Sequence, residues 1–327
     1  MIIPVFIPHL GCPHTCIFCN QRTISGQAET GLAAARAQIE QYLHYSKGQT
    51  SNQIAFYGGS FTALPLDYQQ QLLEIAQEYI QAGQAGSVRL STRPDAITPT
   101  IVAQLQKYQV ETVELGVQSL DEKVLRLAER GHGAACVYSA VELLRQAKLQ
   151  VGLQLMVGLP GQDGVSLADT KEQVCYLAPD IVRIYPVLVI KGTRLSQMYQ
   201  EGNYIPLSLE EAVAASYELY EQFNRYGIQV IRMGLQADGE LCSEGNIVAG
   251  PFHPSFGELV FSYGYRQKVN RYIEQLPAGV ESIIIEYPPK EESKLRGMHK
   301  SNLRYWQEHY PVKIILRRST TFALKMV

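Results

Sequence analysis

Two hydrophobic periods take turns along this chain. Short apolar and β-branched runs at Ile2–Pro8, Gln53–Tyr57, Ser87–Ser91, Thr112–Gly116, Gln150–Val157 and Ile181–Val187 read as strands. Between them, apolar residues at helical spacing predict helices over roughly Leu32–Ser46, Leu66–Ala82, a segment starting near Pro99, Asp121–Ala128 with Ala134–Ala147, Leu167–Leu177 and Leu209–Tyr226. Pro99 suits a first helical turn, where its missing N–H costs nothing. The result is six strand–helix units, and repeated units of this kind demand parallel strands with right-handed crossovers. Alternation alone permits either a partial barrel or an open, doubly wound sheet.

A further short strand, Gln229–Arg232, follows, and then Gly234–Pro254, rich in Gly, Ser, Pro and acidic residues, reads as a boundary or lid. Beyond it the pattern predicts a helix over about Phe256–Gln275, a strand at Ser282–Tyr287, a helix over about Lys300–His309, and strands at Val312–Leu316 and Thr321–Met326. The expected division is a core over 1–240 and a small α+β unit over 241–327, too short for a second enzyme of ordinary size.

Composition narrows the class. The chain has 327 residues, 46% hydrophobic and 18% charged, with a formal net charge of −2. That describes a soluble globular protein with room for one large domain and a small one. No apolar run nears the ~18–20 residues needed to span a bilayer, and no basic-then-apolar leader opens the sequence. A cytoplasmic protein without membrane partners is expected. The charge is uneven: from Pro288 to Val327 there are nine Lys/Arg against three Glu. This basic tail reads either as a phosphate-holding surface or as an ordinary solvated one.

The chemistry concentrates near the N-terminus, in GCPHTCIFCN. Cys12, Cys16 and Cys19 place three thiolates in one loop directly after the first strand. Protein-only zinc and iron–sulfur sites normally use four ligands. Three thiolates suit a 4Fe–4S cluster with one iron left open. A zinc loop completed by His9 or His14 and a set of buried thiols are the alternatives; a disulfide is disfavoured by chain length and the missing leader. Cys136, Cys175 and Cys242 stand singly and read as incidental thiols.

The spacing, with aromatic Phe18 before the last cysteine, resembles the radical S-adenosylmethionine (radical SAM) superfamily. The resemblance implies a partial (β/α)6 barrel, a 4Fe–4S cluster on Cys12, Cys16 and Cys19, and S-adenosylmethionine bound to the open iron. One electron would then split the sulfonium C–S bond and give a 5′-deoxyadenosyl radical that abstracts hydrogen. Such chemistry implies a low-potential electron donor such as flavodoxin or ferredoxin.

In FYGGSFTALP, Gly58 and Gly59 would offer backbone to the methionine ammonium, with Ser60 where the family often has an acid. STRPDAI brings Ser91, Thr92, Arg93 and Asp95, or simply a turn closed by Asp95. Matched to sequences like oxygen-independent coproporphyrinogen oxidase, Gln118 becomes a hydroxyl or carboxylate contact. Arg130 becomes the S-adenosylmethionine carboxylate ligand, its alternative being a surface ion pair. His132 is equally placed or caps a helix. Gln154 stands where that relative has a ribose-binding Asp, Gly158–Gly161 would lie beside adenine, and Val187 and Leu188 would pack on its face.

GGSFT, TRPD, GVQS, the following RGH, YQEGNYIPLSLEEA and VIRMGLQ resemble the Elongator catalytic subunit over roughly residues 3–240. Two departures stand out. The Elongator protein spaces its first two cysteines more widely and carries an acetyltransferase. The segment after Gly250 is too short for that domain and has no pyrophosphate-cradling Gly turn, so the acetyl-CoA-dependent wobble-uridine reaction is not implied. Asn20 stands where porphyrin relatives have a further cysteine. The expected substrate is therefore a small molecule or tRNA. A cluster-binding maturation or haem-handling protein without turnover and a zinc-binding RNA adaptor are the competing readings.

Overall fold

A computed structural model gives the fold and describes every residue except 8–9, 14, 21–22, 25–30, 46–51, 236–240 and 242–244. Seven parallel strands run in chain order across one sheet: β1 (Ile2–Phe6), β2 (Gln53–Tyr57), β3 (Ser87–Thr92), β4 (Val110–Gln118), β5 (Gln150–Val157), β6 (Ile181–Pro186) and β8 (Gln229–Met233). Sequential order means that every right-handed crossover steps the same way, so the helices collect on one face. A doubly wound sheet needs a reversal of order, and there is none here.

The covering helices are α1 (Leu32–Tyr45), α2 (Leu66–Gln81), α3 (Pro99–Lys107), α4 (Glu122–Leu127), α5 (Ala134–Gln146), α6 (Gly164–Leu177) and α8 (Leu209–Arg225). They begin where the sequence supplies caps. Thr98, Asp121, Asp163 and Ser208 each accept a backbone N–H at a helix start. Alternate strand residues, including Ile54, Phe56, Leu90, Leu115, Leu153 and Ile184, point into the apolar layer under these helices.

The other face of the sheet is polar, and it is curled. The Arg183 guanidinium on β6 donates to the Tyr57 hydroxyl on β2 at 2.8 Å. Four strand spacings separate those two strands, roughly 19 Å in a flat sheet. Only a sheet bent toward closure brings them together. The fold is a half-barrel of the partial TIM type.

Between the barrel strands lies a small addition that periodicity did not reveal. β7 (Val189–Ile190) pairs antiparallel with β9 (Ile247–Ala249), and α7 (Arg194–Gln200) packs beside β7. Of the stretch read as a boundary or lid, 236–240 and 242–244, and Cys242 with them, lie outside the described residues.

The C-terminal extension forms its own core. Helix α9 (Phe256–Glu274), α10 (Glu292–Arg296) and α11 (Ser301–His309) cover a sheet ordered β11 (Lys313–Arg318), β10 (Ser282–Tyr287), β12 (Ala323–Met326). Trp306 is fully buried there, and its indole N–H donates to Asn270 Oδ1 at 2.9 Å. No helix among the described residues is long and apolar enough to cross a membrane.

Candidate active site

The loops leaving the C-terminal ends of the strands meet at one mouth, as expected for a barrel of this kind. The cysteine loop is pressed against the loop after β2. Ser60 N–H donates to the Leu10 carbonyl at 2.9 Å, and Leu10 N–H donates to the Ile7 carbonyl at 3.2 Å. A Cβ on Gly59 would collide with the carbonyl oxygens of Leu10 and Ile7, the latter at 2.5 Å. Glycine is required because backbone sits directly on backbone. Ile17 fastens the other side of the loop. Its side chain is buried with Val124, Leu159 and Val187, and its carbonyl accepts from Leu195 N–H at 2.8 Å.

With Ile17 turned inward, its neighbours face the mouth. Cys12, Cys16, Cys19 and Phe18 line a cavity of ≈ 110 Å³ together with Thr15, Gly58, Gly59, Ser91, Thr92, Arg93, Gly116, Gln118, Arg130 and Gln154. Twelve residues singled out from the sequence thus line one cavity. Ser60 and Val187 do not: each is 1% exposed and lies off the cavity. Ser60 is a brace, its Oγ 3.0 Å from Thr92 Oγ1 and accepting Arg93 N–H at 3.2 Å.

Arg130 is buried, so the surface ion pair is excluded. Its Nη1 donates to Cys16 Sγ at 2.9 Å and its Nη2 to the Gly116 carbonyl, while Nε is buried without a partner among the described residues. Arg93 forks onto Asp95 with two 2.9 Å bonds and also donates to the Arg130 carbonyl at 2.7 Å. A short turn over Pro94–Ala96 is present, its backbone closed by Ala96 N–H on the Arg93 carbonyl at 3.3 Å, and it puts Arg93 on the cavity wall. Gln118 ends β4 with a left-handed φ of 70°, where the register to β5 shifts. A non-glycine residue held there stores strain at the mouth.

His132 sits just behind, with Nε2 buried and unpartnered among the described residues. Burial, with the Arg130 charge beside it, pushes its pKa down to about 4. The unfolded chain takes up that proton near pH 6.5, before the folded one does. Stability is therefore expected to fall as pH drops from about 6.5 to about 4, with no effect from this group above 6.5. Thermal melts of His132→Gln across that window should show a shallower loss than the wild type.

Below the cavity, the barrel interior holds a charged network the sequence reading missed. Glu114, 1% exposed, accepts from Arg183 Nη2 at 2.8 Å, Arg89 Nη1 at 3.2 Å and the Tyr57 hydroxyl at 3.2 Å. Gln154 Nε2 bridges upward, donating to Glu114 Oε2 at 3.2 Å and Ser91 Oγ at 3.1 Å. Burial and the adjacent Glu114 push the Tyr57 pKa up to about 12, so it remains a donor. A signal was present: Arg89, Glu114 and Arg183 are charged residues in otherwise apolar strand runs.

Residues 6–174 match the radical SAM superfamily model, and residues 179–266 match the radical SAM C-terminal domain. The chain belongs to the radical SAM superfamily. It is a radical SAM enzyme, and it resembles Elongator-type proteins within that superfamily. A tRNA uridine(34) acetyltransferase of Methanocaldococcus infernus is 30% identical over 256 residues, 65% of this chain and 47% of that protein. The solved structure of Elp3 from the same archaeon superposes with a TM-score of 0.64 at 26% identity, covering 82% of this chain and 63% of that one. Coproporphyrinogen III oxidase HemN of Escherichia coli shares the fold, with a TM-score of 0.51 at 18% identity over 69% of this chain and 52% of that one. The chain spans about half the length of the acetyltransferases it matches.

The residues present fit the cofactors this superfamily uses. Three soft thiolates are the donor set of an iron–sulfur site, and a buried guanidinium with a spare N–H is a ready carboxylate ligand. Among the described residues no three His, Cys, Asp or Glu side chains converge tightly enough to hold one metal ion. The cysteines share a wall and not a single point. His9 and His14, the alternative zinc ligands, lie outside the described residues.

Proposed function

We propose that this radical SAM enzyme carries a 4Fe–4S cluster on Cys12, Cys16 and Cys19 and binds S-adenosylmethionine beside it, with a small molecule or tRNA as substrate. One observation carries the reading: the three cysteines, Phe18, the Gly58–Gly59 backbone and buried Arg130 share one cavity. Cys12, Cys16 and Cys19 would hold the cluster, which would supply the electron for reductive cleavage of S-adenosylmethionine. The chain's own groups do the positioning. Arg130 directs its spare N–H at the methionine carboxylate, Gly58 and Gly59 admit the ammonium to the backbone, and Gln118 and Gln154 take the hydroxyls. Ser60 acts indirectly, through Thr92 and the Arg93 backbone, and Val187 through the apolar floor under Phe18. A low-potential donor of the flavodoxin or ferredoxin type supplies reduction.

Anaerobic reconstitution tests this. About four irons per chain and 5′-deoxyadenosine on reduction with S-adenosylmethionine are expected. Zinc without iron would select the RNA-adaptor reading, and a cluster without nucleoside product the non-turnover one.

The tRNA arm rests on likeness to the acetyltransferases and on the basic tail. Much of that tail is already paired: Arg318 and Arg296 with Glu292, Arg317 and Lys325 with Glu286, and Lys294 with Glu291. Lys300 and Arg304 are exposed. Neutralising these two should weaken tRNA binding and lower its salt slope by about 2, roughly 1 per phosphate contact. Neutralising Arg317 and Arg318 should do less. Filter binding across a salt series reads both, and unchanged slopes would remove tRNA from the proposal.

A further inference from the structure

The interior network is unbalanced. Two guanidiniums, Arg89 and Arg183, face one carboxylate, Glu114, the only one bonded to them among the described residues. Buried charge is normally compensated, because leaving water is costly for an unmatched ion. Here one positive charge remains in surplus. One donor is also unspent: Arg89 Nε is buried with no partner among the described residues. Arg183 Nε lies 2.6 Å from Glu114 Oε2 but off the line of a hydrogen bond.

A purely structural pair would not leave the Arg89 Nε donor idle. Tyr57 and Tyr185 hydroxyls bracket Arg183 at 2.8 and 3.3 Å, so the group sits in a polar cage. That cage is hydrogen-bonded to the wall of the cysteine cavity. Gln154 and Ser91 line the cavity, and the same Gln154 amide touches Glu114. Gly152 makes room for the Glu114 side chain, since a Cβ there would press on Glu114 Cγ at 3.0 Å.

We propose that the barrel interior beneath the cysteine loop binds an oxyanion of the substrate, a carboxylate or a phosphodiester, through Arg89 and Arg183. Glu114 sets the charge balance: it pairs with both guanidiniums and leaves a net charge that one oxyanion neutralises. The substrate is thereby held by its anionic end with the remainder directed up to the mouth. The inference rests on the proposed function for what happens at that mouth, but not for the binding itself.

Calorimetry on the full chain, at low ionic strength, tests it with acetate and dimethyl phosphate as minimal probes. Saturable binding of at least one probe is expected. Tighter acetate would mark a carboxylate substrate, and tighter dimethyl phosphate a nucleic-acid phosphodiester. Arg89→Gln removes the surplus charge while Glu114 stays paired to Arg183, and should weaken binding about tenfold. Glu114→Gln raises the surplus and should tighten it, a change of sign that a merely structural network would not produce. If Glu114→Gln does not fold, Arg89→Gln decides alone. Binding of neither probe, or wild-type affinity in Arg89→Gln, overturns the proposal. No cluster is needed for the measurement. Protein that never holds iron yet binds oxyanion would sink the proposed function and leave this inference standing.

Discussion

Cys16→Ala is expected to abolish iron retention and 5′-deoxyadenosine formation together. Cys16 is the buried member of the cysteine triplet and the one contacted by Arg130. Replacing it removes one of three thiolates and leaves the guanidinium facing a methyl group. A cluster held by two thiolates has no third anchor, so iron per chain should fall to about a tenth of wild type or below. Cys136→Ala is the control. Its thiol donates to the Gly133 carbonyl at 3.0 Å and lies off the cavity wall, so iron content should not move. Iron assay and anaerobic absorption spectra check both. Equal iron in wild type and Cys16→Ala would remove the cluster assignment.

Gly59→Ala should do nearly the same damage without touching a ligand. The added methyl would collide with the Leu10 and Ile7 carbonyls, which are backbone atoms and cannot swing aside. The collision should cost about 3 kcal/mol, the upper end for overpacking a tight site. Because the Ser60–Leu10 bond tethers the cysteine loop to the loop after β2, the strain should also displace Cys12. Lower melting temperature and reduced iron are expected together. Gly164→Ala opens helix α6 with nothing within 4 Å of the new methyl. It should be neutral or stabilise by about 0.4–1 kcal/mol. Similar melting temperatures for the two variants would show that the loop contact is not tight.

Legibility in the sequence followed chemistry that is local. The cysteine triplet with Phe18 and the Gly58–Gly59 pair are each compact in sequence, so their patterns survive in one dimension, although Gly59 packs on the distant Leu10 and Ile7 carbonyls. Arg130 was legible only through resemblance, since its contacts to Cys16 and Gly116 span distant positions. Ser60 and Val187 illustrate the limit. Both read as site residues, yet one braces Thr92 and the other fills the floor. The segments β7, β9 and α7 escaped because strands of two and three residues and a helix of two turns are too short to show a period.

By itself the sequence determined the strand–helix alternation, its parallel sense, the thiolate triplet and the family. Each follows from side-chain period, crossover geometry or short-range spacing. Only the tertiary structure decided between a barrel and a doubly wound sheet, because strand order is a choice among long-range pairings that alternation leaves equal. It also decided that Tyr57, Arg89, Glu114 and Arg183 meet at all. They belong to four strands, and the curl that brings β2 to β6 arises from the accumulated twist of the whole sheet and from no single residue.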